Sequence, residues 1–180
     1  ENSWTSSEDA RDYCINICSD SDLQYSESSA GNLFSVSCKR ANGDVPRILV
    51  IGGIHGNEQL SVYITLKMIE QAAEESGFGD GVEIVFYPVM NPHGLDSNER
   101  YTKNGVDLNR NFPFTWQYTD VSGAAPLSEI ESQVIAAEAD RAYSLLISFH
   151  TGAFCISTLW DYAGTLNSGG TPQTYTFDEF

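Results

Sequence analysis

The chain has 180 residues, 41% of them hydrophobic, which is enough for one domain with a sizeable core. Its 25 acidic residues outnumber its 9 lysines and arginines, and the net charge of −16 argues against binding nucleic acid. No apolar run approaches membrane-spanning length, so we expect no membrane span.

The first part of the chain is predicted to contain one helix and two strands. Ser6 precedes an acidic first turn, which is typical of a helix start, and the helix runs to about Cys18. A polar loop follows over residues 19–32. Apolar alternation predicts an edge strand at 33–39, and a turn then joins it, as a hairpin, to a strand at 47–54.

The second part alternates helices with apolar strands. These elements are a helix at 59–73, a buried strand at 82–90, a helix from about 126 to 142, and a buried strand at 145–149. Residues 91–121 show no period, and so long a loop in a compact domain usually has a functional task. We predict an α/β fold, a mixed β-sheet flanked by helices, in a single domain over 1–180 with an N-terminal helix and loop extension over 1–25.

Four cysteines, Cys14, Cys18, Cys38 and Cys155, allow three different pairings into two disulfides. None forms a CxxC pair, which argues against a zinc knuckle. Lysine is scarce whereas serine, threonine and asparagine are abundant, so we expect disulfides and an extracellular or secreted protein. Free buried thiols are the alternative interpretation.

The segment IGGIHGNE, residues 51–58, lies between a predicted strand and the helix that follows it. Gly52 and Gly53 break the strand and allow a tight turn, so His55 and Glu58 project from the end of the sheet. Open α/β sheets place their chemistry at this edge, and both side chains can reach one divalent metal. The spacing alone is weak, since a glutamate at a helix start with an unrelated histidine nearby gives the same pattern.

A catalytic zinc takes three protein ligands, and the sequence offers only three histidines. His150 ends an apolar strand in LLISFHTG, the position that His55 has after its own strand, so both are expected at one edge of the sheet. His93 lies in the Pro and Gly turn MNPHG. We therefore predict one zinc ion held by His55, Glu58 and His150.

Four short segments of the chain stand in a recognisable order. They are HxxE at 55–58, NPHG at 91–94, DLNRNF at 107–112 and SFHTG at 148–152. In this order they resemble the zinc carboxypeptidases, which remove one residue from the C-terminus of peptides. The resemblance implies a zinc carboxypeptidase-like fold, one zinc ion, and peptide or protein C-termini as binding partners.

The same resemblance assigns roles to residues outside the metal set. Arg100 resembles the arginine that stabilises the oxyanion, and Asn109 and Arg110 resemble the pair that binds the C-terminal carboxylate. Asp161, in HTGAFCISTLWD, stands eleven residues after His150. In the carboxypeptidase N and E subfamily an aspartate at this offset helps to select basic C-terminal side chains, and this subfamily is the one that the chain resembles most.

Full catalytic domains of the family are longer, so we expect the chain to cover only the N-terminal and central part. The family's general-base glutamate has no counterpart, since Glu179 is the only glutamate after Asp161 and lies in no matching segment. Three explanations stay open: a fragment of an enzyme, a chain whose open sheet edge is covered by a second chain or by self-assembly, and a reduced homologue for binding or assembly. An N-acyl amino acid deacylase, with a similar metal site, is a further alternative.

Overall fold

The computed structural model describes residues 4, 6–28, 30, 32–114 and 116–151. The helices of this part are α1 (Ser7–Ser19), α2 (Gln59–Glu74), α3 (Pro92–Ser97) and α4 (Ile130–Ala139). The strands are β1 (Gln24–Glu27), β2 (Phe34–Lys39), β3 (Arg47–Ile51), β4 (Glu83–Tyr87) and β5 (Leu145–Ser148). All of them belong to one unit, residues 1–150, whereas nearly all of the second unit, 151–180, lies outside the described residues.

The five strands form one mixed sheet in the order β1-β2-β4-β3-β5. The pairs β1/β2 and β2/β4 are antiparallel, and β4/β3 and β3/β5 are parallel. The predicted α/β class with a mixed sheet is confirmed. The predicted hairpin of β2 and β3 is wrong, because β4 lies between them and takes β3 as its parallel partner through the α2 crossover.

The predicted polar loop at 19–32 is also wrong in part, because it contains β1. This strand reads QYSE and is largely exposed, so it carries no apolar alternation by which a sequence pattern could reveal it. It pairs with β2 from Gln24 opposite Ser37 to Glu27 opposite Phe34. The predicted edge strand β2 is therefore an inner strand.

Two apolar clusters form the core, one on each face of the sheet. One cluster joins alternate residues of β2 and β4, such as Val36 and Phe86, to α1 and α2. The other joins their neighbours on β4, such as Val85, to Leu49 and to Ile135 of α4. Because Ala10 of α1 is fully buried in the first cluster, the N-terminal helix is part of the core.

Strand β5 was predicted to be buried, and it is not. Leu145 and Leu146 are 50% and 44% exposed, since β5 is the last strand of the described sheet. No helix in the described part of the chain is both long and apolar enough to cross a membrane.

The predicted disulfides are not found for the cysteines within the described residues. Cys14, Cys18 and Cys38 are free thiols, and Cys155 lies outside those residues. Burial raises the pKa of the Cys14 thiol strongly and that of Cys18 to about 11, so neither is a reactive thiolate near neutral pH. The alternative of free buried thiols therefore fits this part of the chain.

Two backbone segments that carry sequence motifs touch directly at Gly56 and Gly94. A Cβ built on Gly56 would lie 1.8 Å from the carbonyl carbon of Gly94 and 2.2 Å from the amide nitrogen of Leu95. Only a residue without a side chain allows this approach. The contact fixes the loop after β3, which carries the HxxE pair, against the first turn of α3.

We predict that Gly56→Ala lowers the free energy of unfolding by about 2 kcal/mol or more, because the methyl group must displace backbone. Gly77→Ala is the matched control, since the nearest atom to its Cβ would be Asp80 Oδ2 at 3.9 Å. We expect the control to change stability by less than about 0.5 kcal/mol. Urea unfolding of both variants makes the comparison, and equal stabilities would contradict the close approach.

Candidate metal centre

The parallel pairing of β3 with β5 brings the two predicted histidine ligands to one edge of the sheet. Ile51 lies opposite Ser148, and the Phe149 amide extends the ladder by donating to the Ile51 carbonyl at 2.9 Å. His55 lies in the turn four residues after Ile51 and His150 lies two residues after Ser148, and their ring centroids are 4.9 Å apart. Because parallel strands end at the same edge of a sheet, two residues nearly a hundred positions apart in the sequence lie next to each other.

Glu58 lies between the two imidazoles and contacts both. Its Oε1 atom lies 2.8 Å from Nδ1 of His55, and its Oε2 atom lies 3.1 Å from Nδ1 of His150. One ligand atom from each of the three residues lies within 4.8 Å of the other two, close enough to hold one metal ion. The structure thus brings together the three predicted metal ligands.

Asp107 orients His55 from the side opposite Glu58. Its Oδ1 atom lies 3.0 Å from Nε2 of His55, whose ring is 2% exposed. Burial raises the pKa of Asp107, but the hydrogen bond and charge of His55 and the nearby Arg100 outweigh it and lower the pKa to about 2. An ionised carboxylate only accepts, so Asp107 favours a proton on Nε2 of His55, and Nδ1 is the ring nitrogen that faces Glu58 and a metal ion held with it.

His150 is the more exposed of the two histidines, and its surroundings favour its neutral form. Burial and the neighbouring His55 lower its pKa, against the opposing effect of Glu58. Ser148 Oγ lies 3.4 Å from Nε2, and Nδ1 faces Glu58. Two imidazole nitrogens and one carboxylate form a donor set that fits zinc, so the residues present suit the metal that the sequence implies.

Arg100 lies beside this cluster, as its predicted role requires. Its Nε donates to Asp107 Oδ2 at 3.0 Å, and its Nη1 lies 3.5 Å from Glu58 Oε1. The side chain is 35% exposed, so one end is fixed while the other faces solvent. His93, the histidine that we did not choose, is exposed and is not part of the described metal cluster.

Asn109 and Arg110 belong to a 3₁₀ turn, Leu108–Arg110, that Asp107 caps. The Asn109 amide donates to Asp107 Oδ1 at 2.9 Å, so the predicted carboxylate-binding turn begins at the residue that orients His55. Both side chains are partly exposed. Their binding role stays a prediction, as does that of Asp161, which lies outside the described residues.

We did not single out Asp107 from the sequence as a site residue. The sequence did contain a pointer to it, because Asp107 is the first residue of the DLNRNF segment, two positions before Asn109. What the sequence does not show is that this carboxylate lies between His55 and Arg100, since neither partner is a close neighbour along the chain.

Asn111 holds the long loop in place from inside the protein. Its side chain is fully buried and donates to Ser122 O at 2.8 Å and to Ala125 O at 3.2 Å. Its Oδ1 accepts from the Glu129 amide at 3.1 Å and from Ser132 Oγ at 2.6 Å. This one amide therefore joins the 3₁₀ turn to the loop and to the start of α4.

Comparisons with known proteins agree with this geometry. A family model described as zinc carboxypeptidase matches residues 16–179. The chain is 28% identical over 155 residues to Carboxypeptidase B of Helicoverpa zea, covering 68% of this chain and 36% of that protein. It is 29% identical over 92 residues to Metallocarboxypeptidase A of Trichophyton rubrum, covering 39% of this chain and 22% of that protein.

Solved structures show the same fold. The chain matches Carboxypeptidase A from Helicoverpa armigera with a TM-score of 0.71 at 22% identity, covering 83% of this chain and 46% of the other. It matches bovine thrombin-activatable fibrinolysis inhibitor with a TM-score of 0.72 at 16% identity, covering 87% of this chain and 64% of the other. The chain therefore spans 36% of the Helicoverpa zea protein and 46% of the Helicoverpa armigera structure.

We predict that Asp107→Asn weakens zinc binding by about 10- to 100-fold, because the amide no longer fixes the proton of His55 on Nε2. Asp120→Asn removes one exposed negative charge far along the loop and is the matched control. Competition with a zinc-binding dye measures both affinities. Equal affinities in the two variants would contradict the orienting role of Asp107.

A second prediction concerns Asn111. Replacing it with alanine should lower the free energy of unfolding by about 3 kcal/mol, because several buried donors and acceptors lose their partner together. Asn16→Ala, on the exposed surface of α1, is the control and should change stability by less than about 0.5 kcal/mol. Urea unfolding measures both, and a stability loss below about 1 kcal/mol for Asn111→Ala would contradict the anchoring role.

Proposed function

The chain belongs to the zinc carboxypeptidase family, and from this premise we propose that it is a zinc-dependent metallocarboxypeptidase, or the proximal part of one. Its substrates would be peptides or proteins with a free C-terminus, from which it removes the last residue. The observation that carries the proposal is the convergence of His55, Glu58 and His150 at the carboxyl ends of β3 and β5.

In this proposal the two Nδ1 atoms and the Glu58 carboxylate hold one zinc ion. Bound zinc supplies a Lewis acid that polarises a carbonyl and lowers the pKa of water towards neutrality. Asp107 supports the site by keeping the His55 proton on Nε2 at 3.0 Å. We assign no residue of this chain to the general base.

Arg100 would stabilise the negative charge that develops on the carbonyl oxygen of the scissile peptide bond. Its Nε atom is held by Asp107, so the guanidinium is already oriented beside the metal ligands before substrate arrives. A fixed cation of this kind is typically worth about 3 kcal/mol of the barrier, because it needs no reorganisation during the reaction.

Asn109 and Arg110 would bind the free carboxylate of the substrate. The guanidinium fork of an arginine matches the two oxygens of a carboxylate, and an asparagine amide adds a further donor. The Asp107 cap ties this turn to the metal cluster, which sets the distance between the bound carboxylate and the bond to be cut.

A preference for C-terminal lysine or arginine is the finer part of the proposal. It rests on Asp161, at the offset from His150 that the carboxypeptidase N and E subfamily uses, and on the net charge of −16, which favours cationic substrates. We also propose an extracellular site of action, although the free thiols among the described cysteines lend it no support. We also propose that a second chain covers the open edge of the sheet at β5.

The test begins with metal content. After incubation with zinc and dialysis, we expect one zinc per chain, measured by plasma mass spectrometry, and loss of that zinc in His150→Ala and Glu58→Gln. His93→Ala is the matched control and should keep it, because His93 is exposed and lies outside the cluster. No zinc in the wild-type chain, or equal loss in all three variants, would contradict the metal site.

Activity is measured on N-acylated dipeptides ending in arginine, lysine or phenylalanine, with and without a chelator. Release of the last residue that stops with the chelator supports a peptidase, and its rate order tests the basic preference. A chain that binds zinc and free C-termini without hydrolysis would instead support the reduced binding module. Cleavage of N-acyl amino acids but not of dipeptides would support the deacylase.

A further inference from the structure

A groove of about 380 Å³ lies between α1 and the C-terminal half of α2, in a part of the molecule that contributes none of the proposed site residues. Its lining includes Tyr13, Ile17 and Asp20 from the α1 segment and Glu70, Ala73 and Glu74 from α2. We call it the α1–α2 groove. Its lining combines an aromatic ring, aliphatic side chains and three carboxylates.

One wall of the groove is already fixed. The Tyr13 hydroxyl donates to the Glu70 carboxylate, which also accepts from Lys67 on the same helix. Burial and this bond to Glu70 raise the pKa of Tyr13, so the hydroxyl stays a donor at all ordinary pH values. A ligand would therefore meet a prepared aromatic face without having to order it.

The other two carboxylates are open to a partner. Asp20 and Glu74 are exposed, and neither forms an ion pair with another residue in the described part of the chain. Ile17 and Ala73 between them are only partly exposed and give the groove an apolar floor. Aliphatic floor and acidic rim together match a long basic side chain, whose stem is apolar and whose head is charged.

Next to the groove, the ammonium group of Lys67 already lies among aromatic rings and a carboxylate. Lys67 Nζ lies 5.7 Å from the ring centroid of Trp4 and 5.9 Å from that of Tyr63, both within cation–π range. Trp4 in turn packs on Tyr13 with centroids 4.7 Å apart. Aromatic rings and the groove carboxylate Glu70 thus already hold one internal cation, although Lys67 itself does not line the groove.

A divalent metal ion is a poorer occupant. Within the described residues, only His55, Glu58 and His150 bring three ligand atoms close enough for one ion. The three groove carboxylates are spread along the walls instead of converging. Metal binding needs convergence, whereas a guanidinium or ammonium group on a flexible stem does not.

We propose that the α1–α2 groove binds a lysine or arginine side chain presented by another polypeptide. The stem packs on Ile17, Ala73 and the Tyr13 ring, and the charged head lies between Asp20 and Glu74. This site is separate from the proposed C-terminal carboxylate site, because it contains none of its residues and requires no free C-terminus.

The probe is a blocked peptide, acetyl-glycyl-glycyl-arginyl-glycyl-glycinamide, with its lysine and citrulline counterparts. The blocked ends remove the free carboxylate, so binding reports on the groove even if the proposed peptidase function fails. In nitrogen-15 NMR titrations of the full chain, we expect saturable shifts at Tyr13, Ile17 and Ala73 with the arginine and lysine peptides. Neutral citrulline has nearly the shape of arginine, and we expect it to bind about tenfold more weakly.

The double variant Asp20→Asn and Glu74→Gln should weaken binding of the arginine peptide about tenfold, and added salt should weaken binding in the wild type. The control pair Asp44→Asn and Asp120→Asn removes the same charge from exposed sites outside the groove and should leave the affinity unchanged. Equal weakening in both pairs would overturn the proposal, because net charge would then explain the binding. Shifts located elsewhere, or equal binding of citrulline, would also overturn it.

Discussion

Glu58 joins two imidazoles that are almost a hundred residues apart in sequence, and the rest of the site depends on this contact. Its two oxygens lie 2.8 Å and 3.1 Å from the Nδ1 atoms of His55 and His150. The contact exists because β3 and β5 run parallel with Ile51 opposite Ser148, so that both strands end at one edge. A shift of one residue in that register would point the two histidines to opposite faces of the sheet.

Two buried polar side chains, Asp107 and Asn111, hold the long loop in place. The Asp107 carboxylate contacts His55 and accepts hydrogen bonds from Arg100 and the Asn109 amide. One side chain therefore positions a candidate metal ligand, a cation and the turn that follows. Asn111 then fixes the same turn to the start of α4 from inside the protein. Such a network costs little to keep formed because every member has a partner.

The carboxylates that make the chain strongly acidic have different surroundings in different parts of the structure. At the candidate metal site the carboxylates of Glu58 and Asp107 are held by histidines and Arg100. Between α1 and α2 the carboxylates of Asp20 and Glu74 remain exposed above an apolar floor. Burial and the number of nearby cations thus distinguish these two groups of carboxylates.

Local sequence patterns predicted the candidate metal ligands, because Gly52 and Gly53 after one apolar strand and LLISFHTG at the next mark strand ends. Local patterns also predicted α1, from its Ser6 cap, and α2, from its apolar periodicity. Long-range packing set three features that no local pattern predicted: β4 separates β2 from β3, the polar strand β1 joins the sheet, and Asp107 contacts His55. The reason is that strand order and side-chain partners depend on which distant surfaces pack together, and hydrophobic periodicity records only which face of each element is buried.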